Sequence, residues 1–253
     1  MIQNLMGQQK LAGKMFSNVP FRRDLGANDL ERMRIPKRYW KASFYNLTDI
    51  YVDGQDSLKS MVEKYILNMA KMRKEGGGFI FYGDNGTGKS CASVVLAKEF
   101  RRRGNTVLFI EAADLKRLVA SKEYFDDDET YWERSKDVDV LVIDDFGKGI
   151  MDNTGFGATI FDELIRSRNA NKKVTIITSN ISPKRWQEEL DLKKSTIHAL
   201  GECTIPVPVI GNNKRDGSVD RLKSILSGNW WVFWVEYSIL FRISFVWNKI
   251  LWR

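Results

Sequence analysis

Eight consecutive residues, Gly83-Asp84-Asn85-Gly86-Thr87-Gly88-Lys89-Ser90, carry the most specific chemical pattern in the chain. Glycines at these spacings let successive backbone N–H groups turn inward around phosphate oxygens, and a helix starting near Cys91 adds its positive end. Lys89 is placed to neutralise the β and γ phosphates of ATP, and the Ser90 hydroxyl to complete the coordination of Mg²⁺. About fifty residues later, Asp144-Asp145-Phe146-Gly147 follows the apolar run Val138 to Ile143. Asp144 is the expected Mg²⁺ carboxylate, acting through water. Asp145 is placed to orient or deprotonate an attacking water, with a helix N-cap as its plainer role. A third apolar run, Thr175-Ile176-Ile177-Thr178-Ser179-Asn180, ends in an amide that could contact the γ phosphate or the water, or simply make a turn.

These groups work only if strands deliver them to one edge. Phe79 to Tyr82, Val107 to Ile110, Val138 to Ile143 and Val174 to Thr178 are short and rich in β-branched or aromatic residues, as buried strands are. Stretches near 89 to 103, 113 to 123 and 156 to 169 have helical spacing, and Ser57 to Lys74 predicts one amphipathic helix stopped by Gly76, Gly77 and Gly78. Strand alternating with helix predicts an α/β fold: a mostly parallel sheet covered on both faces, with ligands at the C-terminal ends of its strands. The strand, Gly-rich loop and helix together form a P-loop nucleotide-binding unit.

The chain has 253 residues, of which 43% are hydrophobic, 12% aromatic and 28% charged, a globular composition that excludes disorder and collagen-like repeats. Residues 1 to 41 hold nine basic and three acidic side chains, six of the eight net positive charges, and predict an arm for a polyanion or an acidic protein surface. Tyr39 and Trp40 are expected to pack that arm on the core. Cys91 and Cys203 are too few for a disulfide framework and His198 stands alone, so multi-histidine metal sites and histidine triads are excluded. The start MIQNLMGQQK lacks a secretory apolar core, which predicts a cytoplasmic protein. Asp126 to Glu129 reads as a solvated acidic loop. Residues 230 to 247 are apolar enough to suggest a membrane span, but Glu236 and Arg242 interrupt them and the apolar side chains alternate with period two. That pattern predicts a strand and no membrane role.

The phosphate loop, the Asp144-Asp145-Phe146-Gly147 strand end and Thr175 to Asn180, preceded by Ile35-Pro36-Lys37-Arg38-Tyr39-Trp40-Lys41-Ala42-Ser43-Phe44, resemble the AAA+ replicative helicase loaders of the DnaC type. The related IstB-type transposition helper ATPases match nearly as well. The resemblance covers roughly residues 35 to 180 and returns at Val219-Asp220-Arg221-Leu222 and at Trp231 to Ser238. It implies a P-loop (AAA+) three-layer αβα core with a reduced or absent helical lid, and ATP hydrolysis coupled to loading or remodelling a hexameric replicative helicase on single-stranded DNA. It also implies self-association with ATP at subunit interfaces, Asn180 as a sensor and Arg221 as an arginine finger, with Arg168 and Arg215 as alternates. On this reading, residues 1–41 form the partner-binding arm and 42–253 the ATPase domain. Within that domain, 181–218 is an insertion whose stretch from Cys203 to Gly217 is a hairpin or loop, and 230–253 is a terminal strand with an apolar tail. Three other outcomes stay open: a transposition regulator, a small-molecule kinase, and a nucleotide switch that does not hydrolyse, since Asp145 stands where a longer Glu is common.

Overall fold

A computed structural model describes residues 24–47, 51–52, 56–120, 124–126, 129–147, 149, 155–211 and 223. The chain divides into two units, Met1–Asn212 and Asn213–Arg253, and every element below belongs to the first. Among the described residues, five strands form the central sheet: β1 (Gly78–Tyr82), β2 (Val107–Glu111), β3 (Val140–Phe146), β4 (Val174–Ser179) and β5 (Thr204–Pro208). Their order across the sheet is β2-β3-β4-β1-β5, and every neighbouring pair is parallel. All five strands therefore end at one edge, where a ligand can meet loops from several of them.

Alternating strand residues feed two separate cores. Phe79, Phe81, Val107, Phe109, Val140, Val142, Val174 and Ile176 pack toward α2 (Leu58–Leu67), α3 (Met69–Glu75) and α4 (Lys89–Arg102). Ile80, Leu108, Ile110, Leu141, Ile143 and Ile177 join a cluster with side chains of α5 (Leu115–Ala120), α7 (Phe156–Ala170), α8 (Trp186–Leu190) and α9 (Lys194–Cys203). The result is a three-layer αβα stack. Each large side chain buried in it contributes roughly 1.5–3 kcal/mol of transfer free energy. The short helix α6 (Tyr131–Asp137) begins with a capping box, Thr130 and Glu133 bonding each other's backbone N–H. Two-residue and three-residue strands pair as small antiparallel ribbons, Tyr51–Val52 with Asp56–Ser57 and Tyr124–Asp126 with Glu129–Thr130.

Three sequence expectations change. The helix expected across Ser57 to Lys74 breaks at Asn68, where the backbone leaves the helical region (φ −103°, ψ 11°) and the side-chain amide donates to the Lys64 carbonyl. An asparagine competes with the helix for its own backbone groups, which no apolar period reports.

The basic arm does not run to residue 41 as a separate element. Residues 24–47 form a strap with helix α1 (Ala27–Arg32) that buries Leu30, Met33, Ile35, Tyr39 and Leu47 in the first core. Asp29 pairs with Arg101, the Phe109 N–H donates to the Met33 carbonyl, and the Trp40 indole donates to the Ile35 carbonyl. Lys98 of α4 is almost fully buried and donates to the carbonyls of Tyr39, Trp40 and Ala42 at 3.2, 2.7 and 2.8 Å. Nonlocal packing of this kind is invisible to a charge count. The remainder of the expected arm, residues 1–23, lies outside the described residues.

The third correction concerns the 181–218 insertion, described as far as residue 211: its stretch from Cys203 is not a hairpin or loop there, and residues 181–211 are part of the layered core. They supply α8, α9 and then β5, which pairs with β1 over its whole length. Two prolines in Thr204-Ile205-Pro206-Val207-Pro208 are unusual in a strand, but among the described residues this one lies at the sheet edge. Pro206 and Pro208 share one parity while the Val209 N–H donates inward to the Tyr82 carbonyl, so the missing N–H groups fall on the outer side. Arg215, Arg221 and the strand expected at Trp231 to Val235 lie outside the described residues. Among the described residues, no helix is long and apolar enough to cross a membrane.

Candidate functional site

β1 ends in the phosphate loop, whose backbone takes positive φ at three glycines, Gly83, Gly86 and Gly88. Gly83 has φ 135°, and a Cβ there would lie 2.4 Å from the Val209 carbonyl oxygen. Gly88, with φ 99°, turns the chain into α4. The loop closes on itself: the Thr87 hydroxyl donates to the Asp84 carbonyl at 2.9 Å, and the Lys89 ammonium donates to the carbonyls of Gly83 and Asp84 at 2.7 and 2.6 Å. The Gly83 N–H donates to the Ser179 carbonyl, which ties the loop to β4. Asp84 and Asn85 are exposed on its rim. Lys89 and the first N–H groups of α4 thus lie at the C-terminal edge of the sheet, an anion-binding arrangement.

β3 brings the two acids to the same edge by different routes. Asp144 is only 2% exposed, and its Oδ1 accepts from the Thr178 hydroxyl at 2.6 Å. Burial pushes its carboxyl above the ordinary carboxylate value, hydrogen bonds from Thr178 and Ser90 act against that rise, and the neighbouring Asp145 charge adds to it. The structure therefore brings Ser90 and Asp144 together. Both are hard oxygen donors, the chemistry a magnesium ion takes, and such an ion commonly uses one or two protein ligands together with nucleotide phosphates. Among the described residues, no group of three or more His, Cys, Asp or Glu side chains could hold a metal by itself.

Asp145 stands in a bulge. The β3–β4 register runs Ile143 to Ile177 and then Phe146 to Ser179, so β3 carries one extra residue, and Asp145 takes a left-handed backbone with φ 56°. Its N–H donates to the Thr178 hydroxyl at 2.9 Å, and its exposed carboxylate accepts from the Asn180 amide at 3.0 Å. Asp145 and Asn180, paired here, line a cavity of about 280 Å³ with Glu111, Phe146, Gly147 and Ile181. Below it, Phe146 stacks on Phe161 at 4.2 Å and meets Trp186 at 4.8 Å, which anchors the strand end in the second core.

Two residues at this edge escape the motif reading. Thr178 contacts both acids, yet in a strand of β-branched residues it looks like an ordinary strand former. Glu111, the register partner of Asp144 on β2, pairs with Arg38 of the strap at 3.2 Å. Its only signal is position at a strand end.

Arg168 is not available as an arginine finger. It is fully buried and donates to Thr175 Oγ1 and to the carbonyls of Ser135, Lys136, Val138 and Val174. Burial pulls its pKa down to about 9, so it stays cationic at neutral pH and ties the end of α6 to the start of β4. Arg166, two residues earlier, is exposed and pairs with Asp162. His198 is exposed, in a shallow groove between α7 and α9 away from the acids.

The sequence is 28% identical over 153 residues to the replicative helicase loader DnaC of Escherichia coli strain K12, covering 59% of each chain. It is 26% identical over 155 residues to that of Buchnera aphidicola subsp. Baizongia pistaciae, covering 60% of this chain and 61% of that one. The chain thus matches about three fifths of the length of these curated relatives. Among solved structures, the DnaC helicase loader superposes with a TM-score of 0.57 at 22% identity, covering 69% of this chain and all of that one. The crystal structure of DnaI gives 0.56 at 20% identity, covering 72% and 94%. The replication initiator DnaA bound to AMPPCP and single-stranded DNA gives 0.53 at 19% identity, covering 73% and 54%. These likenesses show that the three-layer α/β fold is shared with those structures. Residues 59–200, more than half of the sequence, match the family described as IstB-like ATP binding protein, and the chain belongs to that family.

Proposed function

We propose that the protein binds ATP with Mg²⁺ at the loop from Gly83 to Ser90, hydrolyses it slowly, and uses that cycle to load or remodel a replicative DNA helicase on single-stranded DNA in the cytoplasm. The observation that carries the chemical half is the meeting, at one sheet edge, of the phosphate loop, the Ser90–Asp144 contact and the Asp145–Asn180 pair. Lys89 and the loop N–H groups bind the phosphates, while Ser90 and Asp144 hold the magnesium ion, which supplies charge neutralisation when bound. Asp145 accepts the proton of the attacking water or orients it, and Asn180 fixes the direction of its carboxylate. The helicase half rests on the similarity to the DnaC loaders. In this reading ATP lies between self-associated subunits, Arg221 reaches the neighbour's nucleotide, and residues 1–23 dock on the helicase.

The test measures ATP turnover by the full chain with and without single-stranded DNA and a hexameric helicase. Turnover stimulated by either, and absent in Lys89→Ala, is expected. No turnover and no association with helicase would sink the reading. Arg221→Ala should bind ATP without hydrolysing it and regain turnover when mixed with Lys89→Ala; normal turnover by the variant alone would move the finger to Arg215. A second reading, a transposition helper that binds DNA and recruits a transposase, is favoured by the family match itself. Co-purification from the source with a transposase instead of a helicase would select it.

A further inference from the structure

Asp145 occupies a backbone conformation that costs free energy for a residue with a side chain, and it does so inside a strand. An unbulged strand would send Asp145 to the face that Leu141 and Ile143 use, into the second core. The extra residue instead gives that face to Phe146, which packs with Ile143 in the apolar cluster, and leaves the Asp145 carboxylate exposed. Something must hold the bulge against the flatter alternative, and the neighbouring strand supplies it. Thr178 is 1% exposed, and its hydroxyl has one proton and accepting lone pairs. The proton goes to Asp144 Oδ1 and a lone pair takes the Asp145 N–H, at 2.6 and 2.9 Å. The next residue, Ser179, donates to the Phe146 carbonyl at 2.6 Å and closes the far side of the bulge.

We propose that Thr178 is a positioning residue that assigns the two acids their different tasks: its hydroxyl locks Asp144 toward Ser90 and holds the Asp145 backbone in the conformation that keeps that carboxylate on Asn180 and out of the core. This rests on the hydrolytic reading above but makes a separate structural claim. Thr178 is buried and bonds the two acids, not the phosphate loop, so its loss should slow turnover and leave ATP binding by that loop in place.

The test compares Thr178→Val, which keeps the shape, with Thr178→Ser, which keeps the hydroxyl, both in the full chain. Three quantities are read: hydrogen exchange of the Asp145 amide, affinity for a fluorescent ATP analogue, and turnover. In Thr178→Val the Asp145 amide should lose roughly tenfold or more of its protection. Turnover should fall on the order of 10²-fold, with analogue affinity within about threefold. Thr178→Ser should stay within about threefold of the parent in all three. Unchanged amide protection and turnover in Thr178→Val would overturn the proposal. So would a folded Thr178→Ser protein whose turnover falls as far as that expected of the valine variant, a result that stands even if the valine variant does not fold. If the parent protein binds ATP but never hydrolyses it, the hydrolytic reading fails, while the amide comparison still decides whether Thr178 holds the bulge.

Discussion

Asp144 shows what its position costs the fold. Its pKa in the folded state lies above the unfolded value of 3.8, chiefly because burial disfavours the carboxylate. The charged form therefore destabilises the protein at neutral pH, and that penalty disappears as pH falls through the folded pKa to below 3.8. Asp144→Asn keeps an oxygen for Thr178 and removes the charge. We expect it to melt at a higher temperature than the parent at pH 7, with the gap closing as the pH is lowered, and to lose ATP turnover. Thermal unfolding across a pH series checks the first part; a lower melting temperature at pH 7 would contradict it. Lys89→Ala should lose on the order of 10²-fold or more in nucleotide affinity because the phosphates lose their fixed cation. It is expected to fold, since the bonds from Lys89 to the Gly83 and Asp84 carbonyls stay within one loop. Titration with a fluorescent ATP analogue measures this. That the loop, Asp144 and Asn180 share one sheet edge was legible in the sequence, because each directly follows an apolar run that reads as a buried strand. Thr178 was not, because its role exists only once β3 and β4 are side by side and one is a residue longer.

Elements depend on buried cations that no periodicity announces. Arg168 satisfies four carbonyls and a hydroxyl, so Arg168→Ala would leave several buried acceptors unpaired. A stability loss above about 3 kcal/mol in denaturant unfolding is expected. That outcome differs from the loss of a finger, which would spare stability and be repaired by mixing subunits. Lys98 does the same for the strap: burial pushes its ammonium down to about 8, and its three donors hold the carbonyls at 39, 40 and 42. Lys98→Met should cost about 2–3 kcal/mol and speed hydrogen exchange across residues 39–47 more than across β3. Equal exchange in both regions would show that the strap stands without it. Strands β1 to β4 were legible as runs of buried β-branched and aromatic residues. β5 was not, because two prolines in five residues read as a loop until its place at the sheet edge is known. The strap was legible only in Tyr39 and Trp40, expected to pack on the core; Leu30, Met33 and Ile35 were not, because the exposed charges around them, Glu31, Arg32, Lys37 and Arg38, dominate the pattern.

Across the whole molecule, the packing of the strap on the first core leaves residues 1–23 as the proposed partner arm. Removal of residues 1–23 should leave folding and ATP affinity unchanged and abolish helicase association. Removal of residues 1–34 takes Leu30 and Met33 out of the core and the Asp29 partner from Arg101, and should yield a protein that unfolds several degrees lower. Melting curves and a helicase pull-down on both truncations separate the two effects. The strap has one more consequence. At one margin of the sheet the Met33 carbonyl already occupies the Phe109 N–H of β2, and at the other Pro206 and Pro208 have no N–H to offer. Copies of the protein crowded together, as subunits sharing ATP would be, find both margins poor templates for a further strand. The proposed assembly would then proceed through side-chain surfaces, which can release, and not through backbone ladders that grow into fibres.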